Sequence, residues 1–263
     1  MQKLLRVDDY LNSPFTDITP LLELALQKNP AWLITHKDYT LNNKEKVALD
    51  TFIKQRENGT PFAYLSGRKG FYHLDFKVTP DTLIPRPETE LLIDIALDLF
   101  KNKPCDLLDL GTGSGVIAVT LADKNPHWQV TATDFSEATL EVAKQNTTTT
   151  INFQQGNWFE AVPNQTFDLI ISNPPYIEEN DTHLNALKHE PIAALTAGED
   201  GLDDIKVIIS QAPNQLNKNG FLLLEHGYNQ QQEIVKLLKE SFTQIKTFID
   251  YNANNRAVLA RLK

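Results

Sequence analysis

The sequence predicts an α/β protein: a mostly parallel sheet with an antiparallel C-terminal edge, preceded by a small helical domain. Three observations carry this expectation. Beyond Pro87 short apolar runs alternate with amphipathic segments, as in a parallel sheet with helices on both faces. The first seventy or so residues carry helical signals and no strong strand pattern. The chain ends in "FTQIKTFID" and "NRAVLARLK", two runs suited to an antiparallel edge pair.

In chain order, "TPLLELALQKN" reads as a helix with Thr19 as its cap, Pro20 at the first helical position and leucines at 21, 22, 24 and 26. A second helix is expected from Asn43 to Glu57, stopped by Asn58-Gly59, with Val47, Leu49, Phe52 and Ile53 as its apolar side. From Gly70 the pattern turns to "FYHLDFKVTPDTLIP", a hairpin leading into a proline-flanked turn. The expected division is a helical domain over 1–75 and a sheet domain over 76–263, with 76–87 as hairpin and linker.

After a helix in "ETELLIDIALDLF", strands are expected at Asp106 to Leu110, Gln129 to Thr133, Phe167 to Ser172 and Gly220 to Glu225. Helices fall near Gly115 to Asp123 and Glu137 to Asn146. "TTTT" at 147–150 reads as a polar loop.

Bulk properties remove several classes of function. With 25 Lys and Arg against 34 Asp and Glu, the net charge of −9 opposes a polyanion, so no nucleic-acid partner is expected. A single cysteine, Cys105, excludes an internal disulfide, and the six histidines lack ligand spacing, so no metal is expected. The N-terminus is broken by Arg6, Asp8 and Asp9, and no apolar run approaches membrane-spanning length; a cytoplasmic location without a membrane partner is the expectation.

"LLDLGTGSGVIAV" is a strand, a glycine turn and a helix start. Gly111, Gly113 and Gly115 permit tight backbone geometry and close ligand approach, while the helix start offers free N–H groups. Val116 stands where a dinucleotide fingerprint has its third glycine. The loop Gly111, Thr112, Gly113, Ser114, Gly115 instead resembles the first motif of S-adenosylmethionine-dependent methyltransferases. Asp134 closes the next strand, where a carboxylate can accept from both hydroxyls of a ribose. Trp158, in "QGNWF", offers an indole for an adenine face.

The third expected strand, "FDLIIS", ends in "NPPYIEEN". Neither proline can continue a paired strand, so the loop lies at the carboxyl edge of the sheet, beside the glycine turn. Suppose a planar NH2 group accepts the methyl. Its lone pair is delocalised, so it must be positioned and its hydrogens engaged by acceptors. The Asn173 side-chain carbonyl and the Pro174 main-chain carbonyl can take one hydrogen each. Pro174 and Pro175 stiffen the loop and lack competing N–H groups, and Tyr176 can stack on the planar group.

These residues, with "PFAYLSG", "IPRPETE", "HEPIAALTAGEDGL" and "GFLLLEHG" in order, resemble the release factor glutamine methyltransferase family over nearly the whole chain. The resemblance implies a Rossmann-like methyltransferase sheet and an N-terminal domain that helps to hold a protein substrate. It implies methyl transfer from S-adenosyl-L-methionine, leaving S-adenosyl-L-homocysteine, to the N5 amide nitrogen of the Gly-Gly-Gln glutamine of peptide chain release factors, modulating translation termination. It places Gly111 to Gly115, Asp134, Trp158 and Asn173 at the cofactor, and Asn173 to Tyr176 around the glutamine. Asn157 stands where the family usually has Asp, so an adenine amino group would meet an uncharged acceptor. Arg86 and Glu190 lie in family-like blocks, either paired near the substrate entrance or simply solvated. Two alternatives carry the same motifs: a nucleic-acid adenine or cytosine amino methyltransferase, and a binding module without turnover.

Overall fold

The computed structural model describes residues 6–101 and 103–263. They form two compact units, Met1–Ser66 and Gly67–Lys263.

In the first unit the described helices are α1 (Val7–Leu11), α2 (Ile18–Leu26), α3 (Pro30–Thr35), α4 (Asn43–Glu57) and α5 (Phe62–Ser66). Leu21, Leu22, Leu33 and Leu49 are buried together in its core. The start of α4 is fixed by a reciprocal cap: Glu45 N–H donates to Asn42 Oδ1 at 3.0 Å, and Asn42 N–H to Glu45 Oε2 at 2.9 Å. Two details differ from the sequence expectation. α2 begins at Ile18 with Asp17 at the cap, so Pro20 sits third in the first turn, where its missing N–H is still not needed. Val47 is 66 % exposed, because the buried stripe of α4 is narrow and centred on Leu49.

The second unit opens with a hairpin, β1 (Arg68–Phe71) and β2 (Leu74–Lys77), followed by α6 (Glu90–Leu99). The chain then runs β3 (Asp106–Leu110), α7 (Val116–Lys124), β4 (Gln129–Asp134), α8 (Glu137–Gln145), β5 (Asn152–Gln155), β6 (Phe167–Ser172), α9 (Asp203–Gln211), β7 (Leu216–Glu225), α10 (Gln231–Leu238), β8 (Phe242–Ile249) and β9 (Asn255–Leu262). The seven strands of the main sheet lie in the order β5-β4-β3-β6-β7-β9-β8. β5, β4, β3, β6 and β7 are parallel; β9 is antiparallel to both β7 and β8.

Two apolar layers cover the sheet. Leu107 packs with Ile93 of α6 and Ile117 of α7; its neighbour Leu108 packs with Ile205 of α9 and Ile234 of α10. Adjacent residues of one strand thus feed opposite cores, as the two-residue strand period requires. Among the described residues no helix is long and apolar enough to cross a membrane.

Candidate functional site

Register sets the site. Leu110 pairs with Thr133 on one side and Ser172 on the other, so Gly111, Asp134 and Asn173 lie at the same edge of the sheet, Asp134 as the last residue of β4. The Ser172 hydroxyl donates to the Leu110 carbonyl at 2.8 Å, tying the start of the "NPPY" loop to the start of the glycine turn.

The glycine turn uses positive φ at Gly111 (69°), Gly113 (57°) and Gly115 (87°). A Cβ on Gly111 would stand 3.3 Å from Trp158 Cζ3, so the bare glycine is where the indole rests. Thr112 N–H donates to the Thr133 carbonyl at 2.8 Å, and its hydroxyl to buried Asp109 Oδ2 at 2.6 Å. Asp109 also accepts from Ala118 N–H at 3.1 Å, which clamps the turn onto the first turn of α7. Burial pushes the Asp109 carboxyl up to about 7, against the pull of these donors.

Asp134 accepts from Ser136 N–H on Oδ1 at 3.0 Å and from Gly113 N–H on Oδ2 at 3.1 Å. Each oxygen keeps capacity for a further donor, which suits a vicinal diol. Burial raises its pKa, opposed by the backbone N–H groups. A cavity of about 490 Å³ is lined by Gly111 to Ser114, Asp134, Phe135, Asn157, Trp158, Asn173 and Pro175. Its size lies in the roughly 300–1,000 Å³ range of ligand pockets. Gly115 is not on its wall; it caps α7, where a Cβ would crowd Val119 and Ala143.

A second cavity, about 280 Å³, is lined by Asn173, Pro174, Tyr176, Arg86, Glu225 and Arg256 among others. Asn173 and Arg86 border both spaces. The Asn173 amide donates through Nδ2 to the Thr89 hydroxyl at 3.0 Å, which turns Oδ1 away from Thr89. The Tyr176 hydroxyl donates to Glu225 Oε1 at 3.2 Å and accepts from Arg256 Nη1 at 3.4 Å. Burial, then the nearby Glu225 charge, raise the tyrosine pKa, so the phenol is neutral. Gln230 Nε2 donates to the Tyr176 carbonyl at 3.0 Å, and Tyr176 and Ile177 N–H groups both donate to the Leu195 carbonyl. The loop is therefore fixed on both sides of its prolines.

Every candidate residue read from the sequence sits at this edge, but the cavities divide them. Gly111 to Ser114, Asp134 and Trp158 face the larger space; Pro174 and Tyr176 face the smaller. Thr89, Asp204 and Arg256 were not singled out in the sequence, and Glu225 was read only as the end of a strand within the block "GFLLLEHG". Glu225 had a legible signal, an ionisable residue ending the apolar run "FLLLE"; Asp204, which accepts the Trp158 indole N–H at 3.1 Å, had none. Arg86 and Glu190 are paired, Nη2 to Oε1, at 2.5 Å. Among the described residues no group of three or more His, Cys, Asp or Glu is placed to hold a metal ion.

Comparison with known proteins meets the same parts. Residues 88–194 match the family model of the methyltransferase small domain, and residues 3–67 that of the PrmC N-terminal domain. The chain is 43% identical to the release factor glutamine methyltransferase of Coxiella burnetii (strain RSA 493 / Nine Mile phase I), over 95% of this chain and 92% of that protein. It is 37% identical to the enzyme of the same name from Escherichia coli (strain K12), again over 95% and 92%. Among solved structures, the hMettl16 catalytic domain in complex with MAT2A 3'UTR hairpin 1 aligns with a TM-score of 0.60 at 16% identity, covering 95% of this chain and 93% of that one. A methyltransferase from Pyrococcus furiosus aligns at 0.56 and 20% identity, covering 81% and 98%. At such identities these two structures show a shared fold.

Proposed function

The chain belongs to the release factor glutamine methyltransferase family, and from that premise we propose that it methylates the N5 amide nitrogen of the Gly-Gly-Gln glutamine of peptide chain release factors. The observation that carries this reading is the position of Asn173, which borders a cofactor-sized cavity on one side and an aromatic-walled slot on the other.

The residues of the larger cavity fit S-adenosyl-L-methionine. Asp134 has acceptor capacity for ribose hydroxyls, Gly111 and Gly113 have no side chain in the way, and Asn157 has an amide for an adenine edge. When bound, that cofactor supplies an electrophilic methyl on a sulfonium centre. The chain's own residues prepare the acceptor. An amide nitrogen is a poor nucleophile, so its position must be fixed before it can react. Asn173 Oδ1 and the Pro174 carbonyl accept its two hydrogens, and Tyr176 forms the wall of the slot. The prolines contribute no N–H to compete for these carbonyls. The proton released on methylation leaves to water, because a protonated N-alkyl amide is strongly acidic.

The net charge of −9 supports a protein rather than a nucleic-acid acceptor. The N-terminal region, 1–75, contributes to holding the release factor. A cytoplasmic location, with no membrane partner, goes with action on a translation factor.

The test is mass spectrometry of a release factor incubated with S-adenosyl-L-methionine and either wild type or Asn173→Ala. A gain of about 14 Da on the Gly-Gly-Gln glutamine, one methyl replacing a hydrogen, is expected with wild type. The variant should be slower by roughly 10²–10³-fold. An unmodified glutamine with intact cofactor binding would overturn the substrate assignment, and DNA would be the next acceptor tried.

A further inference from the structure

A carboxamide looks nearly the same when turned end for end, but its chemistry is reversed. A half turn of the Asn173 amide would present two N–H donors to an incoming NH2 group in place of an acceptor. The slot works only if that half turn is prevented. The Asn173 amide is held by a hydrogen bond from Nδ2 to Thr89 Oγ1, and a hydroxyl can accept from Nδ2 or donate to Oδ1. Thr89 by itself leaves the orientation open.

Behind Thr89 stands Glu225, the last residue of β7, with 0 % of its surface exposed. The nearby Thr89 hydroxyl favours its charged form. Oε1 accepts from Tyr176, while Oε2 has no hydrogen-bond partner among the described residues, so the carboxylate has acceptor capacity to spare. An ionised carboxylate can only accept. It can draw the Thr89 hydrogen toward itself, which would leave the hydroxyl with lone pairs facing Asn173. The same carboxylate takes the Tyr176 hydrogen, and Arg256 donates to the Tyr176 oxygen from behind.

We propose that Glu225 is a positioning residue for methyl transfer: through the Thr89 hydroxyl it dictates which end of the Asn173 amide faces the acceptor, and through the Tyr176 hydroxyl it holds the aromatic wall. The inference rests on the function proposed above. It explains why a charge is kept in a buried position where an apolar residue would be cheaper to fold.

The surroundings give it a pH signature. Facing Glu225 are Thr89, Tyr176, Arg256 and Glu88; Arg86 acts on Tyr176, His226 follows in the chain, and Asp250 backs Arg256. Burial pushes the Glu225 carboxyl up to about 7, with Thr89, Arg256 and Tyr176 pulling down and Glu88 pushing up. Tyr176 and Arg256 are raised from already high values, and burial lowers His226. Once protonated, Glu225 becomes a donor and the Thr89 hydrogen is free to turn toward Asn173. Turnover should therefore fall as pH drops through about 7.

The experiment is steady-state methylation of a release factor on both sides of pH 7 by wild type, Thr89→Val, Thr89→Ser and Glu225→Gln, with cofactor affinity measured by calorimetry. Thr89→Val should lose about 10²-fold in kcat, with KM and cofactor affinity little changed, and Thr89→Ser should restore it. Glu225→Gln should be slow at every pH and lack the acid limb. A Thr89→Val protein with wild-type kcat, or a Glu225→Gln protein that keeps the acid limb, overturns the inference. A wild type that leaves the glutamine unmodified overturns the functional assignment instead.

Discussion

Arg86 and Glu190 are joined across 104 residues of sequence: Arg86 Nη2 donates to Glu190 Oε1 at 2.5 Å while Ile84 N–H donates to Oε2 at 3.0 Å. The Glu190 side chain is 3% exposed and the Arg86 side chain 32%. One carboxylate thus fastens the "IPRPETE" segment to the segment that enters "EPIAALTAGEDGL".

Glu190→Ala would leave the Ile84 N–H unpaired and Arg86 without its counter-charge. We expect a loss of about 2 kcal/mol, below the value for a fully buried pair because Arg86 reaches solvent. Denaturant unfolding measures it. Glu190→Gln, which keeps an acceptor for Ile84, should lose less; equal losses would show that the charge is immaterial.

Gly201 has φ of 67°, and a Cβ there would lie 2.3 Å from the Tyr176 carbonyl oxygen, a backbone atom. Gly201→Ala must displace the loop that carries the slot. It should reduce kcat by tenfold or more, on the order of 1–3 kcal/mol of strain, while cofactor affinity changes little. Calorimetric titration beside a turnover assay separates the two.

Gly111→Ala acts at the other cavity. The residue has φ of 69° and the added methyl would press on Trp158, so cofactor binding should weaken by roughly tenfold, about 1.4 kcal/mol. Trp158→Phe, which keeps an aromatic ring but loses the bond to Asp204, should weaken it less.

Asp109 predicts a pH dependence of stability. Burial raises its folded pKa from 3.8 to about 7, so between those values the folded chain binds more protons than the unfolded one. Stability from this group is fully present below pH 3.8 and is lost as pH rises through about 7. Asp109→Asn should flatten that part of the thermal-melting profile, and an unchanged slope would refute the assignment.

The interior of the sheet was plain in the sequence because β3 and β6 are rich in leucine and isoleucine and β4 alternates Val130 and Ala132 with β-branched threonines. β5, "NFQQ", was not: it is a short polar strand at the sheet edge, with no buried residue to mark it. The first residues of β7, from Leu216, were missed because "NKN" inside it is polar. Of the site, Asp134 and Asn173 could be read because strand ends and a glycine turn place them. The Thr89–Glu225–Tyr176–Arg256 cluster draws on four distant segments, and local pattern carries no record of such a meeting.

The strand order has a consequence for how such a protein can diversify. Apart from the walls shared at Leu83, Arg86, Asn173 and Ala194, the larger cavity is bounded by the 80–89 segment and by the ends of β3, β4 and β5 with the turns that follow them; the smaller is bounded by the loop after β6, by Glu225 of β7 and by Arg256 of β9. The two halves lie on opposite flanks of the glycine turn. A lineage can therefore rebuild the loops after β6 to accept a different nitrogen while the donor half is inherited unaltered, as a tool keeps its handle when its bit is exchanged.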